Sequence, residues 1–245
     1  AGTTSANSVA FTSDSTMSIT GATSATTTMN LDSALLMTVT GDLSAASITA
    51  TSNAGMTAQG NITGTNNLVL NAVGAMNVTG NLGSAVIDVN ATDSFMLAGN
   101  INGTTVTVDS GKAMSVTGNT VATTLAMTSL DAYTVTGNLT TTSTMNLSSV
   151  KATAITGNIS ASTLTAVSSD SLAVTGNISA TDASLTSGSS MNVAGDMTIA
   201  DALVLDATGA MTVAGTTSAN SVAFTSDSTM IITGATSATT TMNLD

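Results

Sequence analysis

Apolar residues recur along this chain in pairs, and one residue separates the two members of each pair. In the stretch GNLGSAVIDVNATDSFMLA, which begins at residue 80, a single Leu82 precedes the pair Ile87 and Val89 and then the pair Phe95 and Leu97. A spacing of two puts both members of a pair on the same face of a β-strand, whereas a helix needs a spacing of three or four. The pattern predicts three short strands in this stretch and no helix.

The same arrangement returns every 19 or 20 residues, and a glycine marks the start of each unit. The extra residue of the longer units always enters between the single apolar residue and the first pair. A strand would flip its faces if a residue were inserted inside it, so we expect a corner at this point. The glycines to which we assign a structural role are Gly21, Gly41, Gly60, Gly80, Gly99, Gly118, Gly137, Gly157, Gly176, Gly195, Gly215 and Gly234.

A unit of fixed length with about three short strands predicts an all-β fold, a single-stranded parallel β-solenoid with 19–20 residues per coil. The spacing of the glycines gives roughly 12 coils over residues 1–245, which we expect to form one continuous solenoid. Parallel crossovers are overwhelmingly right-handed, and we expect that hand here. One coil buries too few apolar side chains to offset the entropy of ordering its backbone, so the coils must stack.

Asparagine follows the glycine in seven consecutive units. Stacked asparagines can hydrogen-bond from coil to coil, and both Asn and Gly tolerate the left-handed conformation that a sharp bend requires. We expect each glycine and the residue after it to form one corner of a coil, with a ladder of asparagines along the stack. The members of this predicted ladder are Asn61, Asn81, Asn100, Asn119, Asn138, Asn158 and Asn177.

The two lysines of the chain fall in one column of the repeat and alternate there with aspartates. Like charges stacked at a spacing of about 4.8 Å would repel, whereas alternating charges attract. We therefore predict a charge ladder at a turn. The ladder is evidence for the alignment of the coils and adds little to stability, because exposed ion pairs contribute little free energy. In order of successive coils, its members are Asp93, Lys112, Asp131, Lys151 and Asp170.

The composition narrows the chemistry that the chain can perform. It has no His and no Cys, and its net charge is −12. Because phosphate contacts need cations, we expect no nucleic-acid partner. We predict no catalytic, cofactor-binding or metal site and no enzyme activity, since the acid–base groups are limited to aspartates, two lysines and one tyrosine. Weak calcium binding at turn aspartates such as Asp14 and Asp227 stays an alternative. No run approaches the roughly 18 apolar residues of a spanning helix, so we expect no membrane insertion.

The first and last stretches of the sequence are nearly identical. Residues 1–32 reappear as residues 214–245 with one difference, Ser18 against Ile231. Neither stretch has the polar cap that closes most solenoids. We expect the chain to be an excerpt of a longer protein built from tandem blocks of 213 residues, or a subunit that stacks end to end.

The period and the Gly-, Asn- and Thr-rich composition resemble the β-helical shafts of filamentous-haemagglutinin-type bacterial adhesins, and very large repetitive cell-surface proteins are similar on the same grounds. The resemblance implies an extracellular fibre on the bacterial cell surface, the shaft or spacer of an adhesin or filament. Its partners would be copies of itself or flanking identical repeats, end to end, and a host-cell or glycan receptor. One alternative is a subunit of a self-assembling extracellular polymer or sheath. A weaker alternative is a carbohydrate- or ice-binding face made of the Thr and Asn ladders.

Overall fold

A computed structural model describes residues 2–245 and shows an all-β protein. The chain winds into the coils of a parallel β-solenoid, about 13 in number, as the periodicity predicts. The coils group into two compact units, one over residues 1–122 and the other over residues 123–245. Over residues 2–245, no helix has the length and apolar character needed to cross a membrane.

In the first unit, each coil consists mainly of one long strand and one short strand. The long strands have 10 or 11 residues and the short ones have four. The strands are β1 (Thr4–Ser13), β2 (Met17–Thr20), β3 (Thr23–Ser33), β4 (Met37–Thr40), β5 (Leu43–Ser52), β6 (Met56–Gln59), β7 (Ile62–Ala72), β8 (Met76–Thr79), β9 (Leu82–Ala91), β10 (Phe95–Ala98), β11 (Ile101–Ser110), β12 (Met114–Thr117) and β13 (Thr120–Ala122).

The strands of this unit form two parallel sheets, and each strand pairs with the equivalent strand of the next coil. In the sheet of long strands, Leu43 lies beside Ile62. In the sheet of short strands, Met56 lies beside Met76. Residues of the same kind therefore stack on one another, as the repeat predicts.

The long strands join two strands that the sequence predicts as separate. Between β7 and β9 the pairing shifts register from Thr63 to Asn67, and this is the place where the longer unit holds its extra residue. The chain absorbs that residue as a bulge and continues the same strand, so two strands replace the predicted three. The predicted position of the extra residue is correct.

Most coils of the second unit keep the three strands that the sequence predicts, but residues 217–226 and residues 236–244 again form single long strands. At one of its corners Ser162 and Thr163 both donate to Ser143 O, and the strand is interrupted there. The strands are β14 (Thr124–Ser129), β15 (Tyr133–Thr136), β16 (Leu139–Thr141), β17 (Thr144–Ser149), β18 (Thr153–Thr156), β19 (Ile159–Ser160), β20 (Thr163–Ser168), β21 (Leu172–Thr175), β22 (Ile178–Ala180), β23 (Asp182–Ser187), β24 (Met191–Val193), β25 (Met197–Ile199), β26 (Ala202–Ala207), β27 (Met211–Val213), β28 (Thr217–Ser226), β29 (Met230–Ile232) and β30 (Thr236–Leu244).

The predicted pairs of apolar residues point into the coils and form the core of each unit. In the coil that begins at residue 80, Leu82, Ile87, Val89, Phe95 and Leu97 are all almost fully buried. Each side chain of this kind contributes about 1.5–3 kcal/mol when it leaves water. Because every coil supplies the same five positions, the core runs through the stack of coils within each unit without a change of pattern.

Several polar groups lie in this apolar interior without an ordinary hydrogen bond, among them the hydroxyls of Thr120 and Tyr133. Thr120 stands beside Ile101 in the sheet of long strands, and its Oγ1 is buried without a partner. The hydroxyl of Tyr133 is fully buried and points at the thioether sulfur of Met127, at 2.8 Å. Burial raises the pKa of the Tyr133 hydroxyl far above its ordinary value. A buried polar group that lacks a good partner reduces stability.

We expect Thr120→Val to stabilise the protein by about 1–3 kcal/mol, because valine has nearly the same shape and removes a buried hydroxyl that has no partner. The measurement is the free energy of unfolding in urea. Thr117→Val is the matched control on the exposed side of the neighbouring strand β12, and it should change stability by less than about 0.5 kcal/mol. Equal effects of the two substitutions would contradict the assignment.

Candidate functional site

The glycine at each corner is fixed by the backbone of the coil before it. Gly60 has a φ of +140°, a conformation that L-residues rarely adopt. A Cβ at Gly60 would lie 2.5 Å from Gly41 O and 2.6 Å from Gly41 C, which is too close for any side chain. Eight corner glycines have such a φ: Gly21, Gly41, Gly60, Gly80, Gly118, Gly137, Gly157 and Gly176.

Other corner glycines are required by the close approach alone. A Cβ at Gly99, Gly195, Gly215 or Gly234 would collide with the backbone of the preceding corner glycine. Among residues 2–245, every residue of positive φ is a glycine. The asparagines at the corner therefore do not use the left-handed conformation that the sequence suggested for them, and their role lies in their side chains.

In the first unit, the corner side chains of Asp42, Asn61, Asn81 and Asn100 each accept a hydrogen bond from the backbone of the next coil. Asn81 N–H donates to Asn61 Oδ1 at 3.0 Å, and Asn81 Nδ2 also donates to that oxygen at 2.9 Å. The ladder continues from Asn81 to Asn100 and from Asn100 to Asn119. It begins with Asp42, whose carboxylate accepts from Asn61 N–H at 2.7 Å.

The second unit repeats this ladder with a different ending. The side-chain oxygen of Asn138 accepts from Asn158 N–H, and that of Asn158 accepts from Asn177 N–H. Asn177 Oδ1 then accepts from Asp196 N–H at 2.9 Å. The seven predicted asparagines thus lie in the two ladders, whereas the sequence pattern missed the aspartates because it considered only asparagine.

Asp196 has a second donor that the asparagines lack. Both Thr216 N–H and the Thr216 hydroxyl donate to Asp196 Oδ1, each at 2.8 Å. These hydrogen bonds from the backbone and side chain of Thr216 lower the pKa of the Asp196 carboxyl. The carboxylate is solvent-exposed, so its ionised form is well hydrated and the ladder carries a charge at this point.

The lysines of the predicted charge ladder each contact the aspartate of the preceding coil. Lys112 Nζ lies 3.0 Å from Asp93 Oδ1, and Lys151 Nζ lies 3.1 Å from Asp131 Oδ1. All four side chains keep at least a third of their surface exposed, so each pair contributes no more than about 1 kcal/mol. Within the described residues, Asp170 does not come within ion-pair distance of Lys151, and its backbone carbonyl instead accepts from Ser187 Oγ at 2.7 Å.

A row of buried serines lies beside this charged turn, and the sequence interpretation missed it. Ser168 Oγ lies 2.7 Å from Lys151 O and 2.9 Å from Ser171 O, so its hydroxyl serves carbonyl groups of two successive coils. The sequence signal is a small residue two positions after an apolar pair, on the same inward face of the strand. Alanine takes this position in some coils, as at Ala91. The serines that bond in this way are Ser33, Ser52, Ser110, Ser168 and Ser187.

The sheet of short strands turns two rows of side chains outward. In β4 these are Thr38 and Thr40, but in β10 they are Met96 and Ala98. The outer face is therefore mixed and does not present an unbroken row of hydroxyls. Among the described residues there is no group of three or more acidic, His or Cys side chains placed to hold a metal ion. The turn aspartates Asp14 and Asp227 stay a prediction for weak calcium binding.

Comparison with known proteins gives no match for this chain, whether with protein-family models, curated proteins or solved structures.

We expect Ser168→Ala to destabilise the protein by about 1 kcal/mol, because the hydroxyl that serves two carbonyl groups is lost. The reciprocal change, Ala91→Ser, places a hydroxyl at the same position of another coil and should stabilise by a similar amount. Urea unfolding of both variants measures the effect. If both changes shifted stability in the same direction, the serine row would have no role in stability.

We expect the contact between Asp196 and Thr216 to weaken at low pH. The pKa of Asp196 is lowered in the folded state, so its contribution is complete above the ordinary aspartate pKa and is lost as the pH falls through the folded value. NMR titration of the carboxyl and hydrogen exchange of the Thr216 amide would follow this change. Asp196→Asn supplies a similar acceptor without a charge, as in neighbouring coils, and should make Thr216 exchange lose this pH dependence. A titration of Asp196 at the ordinary aspartate pKa would contradict the assignment.

Proposed function

We propose that the chain is a structural element of an extracellular fibre, the shaft or spacer of a bacterial surface adhesin or filament. One observation carries the proposal, the pairing of each coil with the next by backbone hydrogen bonds at both sheets within each unit. At the corner, for example, Gly60 N–H donates to Thr79 O and Ile62 N–H donates to Asn81 O, both at 2.9 Å. All of these bonds join one coil to its neighbour.

Hydrogen bonds between successive coils suit a shaft that transmits force along the stack, or a spacer that holds two other parts of a protein apart. Tension along the stack acts on many parallel hydrogen bonds at once, since every coil contributes several of them to its neighbour. Within each unit, the asparagine ladder adds side-chain bonds in the same direction, as from Asn100 to Asn81, and ion pairs such as that of Lys112 with Asp93 lie across the same step. The backbone bonds recur from step to step, and side-chain bonds or an ion pair reinforce some of the steps.

The charge of the chain fits a location outside the cell and in water. Its net charge of −12 keeps copies of the chain apart at their sides. The absence of cysteine and of proline leaves a chain that needs no disulfide formation and has no slow prolyl isomerisation after export. In this function the length of the solenoid and its regularity matter, and the receptor-binding part of such an adhesin would be a separate surface.

The proposal is tested by locating the protein on the cells that produce it. An antibody raised against the purified chain should label filaments on intact cells in electron micrographs, because the proposed shaft projects from the surface. An antibody against a cytoplasmic protein serves as the control for cell integrity. If label required permeabilised cells, the proposed location would be wrong, and if purified chain depolymerised glycans, the structural role would be wrong.

A further inference from the structure

The charged residues of the first unit lie away from the outer face of its short strands. The six short strands β2, β4, β6, β8, β10 and β12 contain no charged residue, whereas Asp88 and Asp109 point outward from the long strands β9 and β11. In the turn before β10, Asp93 is paired with Lys112. We call the outward side chains of the six short strands the neutral face. The net charge of −12 keeps copies of the chain apart at the other faces and opposes their approach least at this one.

One strand of the neutral face has a projection beside a recess. Met96 of β10 is 54% exposed, and among the outward positions of the six short strands it carries the only large apolar side chain. Ala98, two residues further along β10, lies between Thr79 and Thr117 of the neighbouring strands. Both threonines have larger side chains than alanine, so Ala98 lies in a shallow recess. An exposed methionine gains free energy when a second surface covers it, and its flexible side chain adapts to an irregular contact.

The projection and the recess are complementary to those of a second copy. Met96 and Ala98 flank Leu97, whose side chain points inward. A two-fold axis that runs parallel to the stack of coils and passes above Leu97 exchanges the two outward positions. It places Met96 of each copy over Ala98 of the other, with the two β10 strands antiparallel. Such an interface uses the same patch on both copies, which is the commonest way for identical chains to pair.

The spacing of the strands also favours a second copy as the partner. The strands of the neutral face repeat at about 4.8 Å, so a partner with the same spacing can place one coil opposite each coil along the face. The two-fold axis keeps both stacks pointing in the same direction. That is the arrangement of two shafts that project from one surface.

We propose that two copies of this chain associate side by side through their neutral faces, with Met96 of each copy in the recess at Ala98 of the other. The proposal rests on the fibre function proposed above and adds to it the contact by which neighbouring shafts form a pair. Two sheets that pack face to face lie about 10 Å apart, and this separation brings the Met96 side chain into the recess.

The size of the neutral face determines how tightly one unit can pair. Its six strands cover about 13 Å by about 29 Å, which is less than the roughly 800 Å² per partner of a stable interface. Pairing through this face should therefore be weak and concentration-dependent. In a fibre that carries several such faces, the contacts act together and the pair becomes tighter.

Two aspartate variants of the same coil test where the copies meet. Met96→Asp places a carboxylate on the neutral face, and Val86→Asp places one on the long strand β9. Val86 is 42% exposed, so both variants replace an exposed apolar side chain and have the same net charge. Sedimentation equilibrium compares both variants with the unchanged chain up to about 1 mM protein, because weak pairs dissociate at lower concentrations.

We expect the unchanged chain and Val86→Asp to form pairs of twice 23.8 kDa. Met96→Asp should pair about tenfold more weakly or worse, since like charges are then brought together in the interface. The proposal would be wrong if the unchanged chain stayed single up to about 1 mM, or if the two variants paired equally well. A chain that stayed single but bound a glycan or shaped ice crystals through the neutral face would give that face a different occupant and would overturn the proposal as well.

A second set of variants tests the fit of the projection into the recess. Ala98→Met fills the recess and should weaken pairing. The double variant Met96→Ala with Ala98→Met exchanges the projection and the recess, and it should recover most of the pairing, because the two-fold axis again places each methionine over an alanine. A double variant that paired no better than Ala98→Met would rule out the proposed contact.

The contact between shafts and the fibre function fail in different ways. If the chain stays single while the antibody labels filaments on intact cells, the fibre function stands and the side-by-side contact is wrong. If label requires permeabilised cells while Met96→Asp still pairs more weakly than Val86→Asp, the contact stands and the cell-surface location is wrong.

Discussion

The backbone hydrogen bonds of each coil are made with its neighbours, and the rest of the structure depends on this constraint. A strand of one coil has no partner within that coil, because the equivalent strand with which it pairs comes 19 or 20 residues earlier or later. Its amides and carbonyls are satisfied when the next coil follows at the same register. The coils can therefore pair only if the repeat unit keeps nearly the same length along the chain. An inserted residue is tolerated only where the pairing can shift register, as between Thr63 and Asn67.

Pairing in register also decides which side chains are possible, because each residue lies directly above its counterpart. At a spacing of about 4.8 Å a side chain must be compatible with a copy of itself. Apolar residues, amides and hydroxyls meet this condition, and a column of one charge does not. Asparagine satisfies it at the corner by accepting from the next backbone amide, as Asn81 does for Asn100. The scarcity of lysine and the absence of proline follow from the same condition, since proline would remove a donor from the ladder.

The fold could be predicted from the sequence because the pattern of inward residues is repeated many times, so that Leu82 and Phe95 are two instances of a general rule. The details that the pattern missed depend on local geometry. No residue type marks whether a corner interrupts the strand: the amides of Ser162 and Thr163 share one carbonyl at an interrupted corner, and those of Asn220 and Ser221 share one inside a continuous strand. The role of Ser168 depends on the position of two carbonyl groups that no residue type marks. Asp42 was missed because the sequence pattern considered only asparagine, although an aspartate at the corner accepts the same hydrogen bond.

A column of identical residues aligns coils but does not by itself distinguish one coil from another, so any specific junction must come from coils that depart from the pattern. The step from residues 195–214 to residues 215–233 is such a place. The corner there pairs a carboxylate with threonine, Asp196 with Thr216, whereas the corners from Asn61 to Asn119 and from Asn138 to Asn177 pair asparagine with asparagine. The same coil carries Asp201, which binds Asn220 at a second corner. A carboxylate accepts hydrogen bonds and cannot donate them, so this coil favours a neighbour with donors at both corners. Thr216 and Asn220 supply those donors, and the exceptions to the repeat therefore distinguish this step from the others.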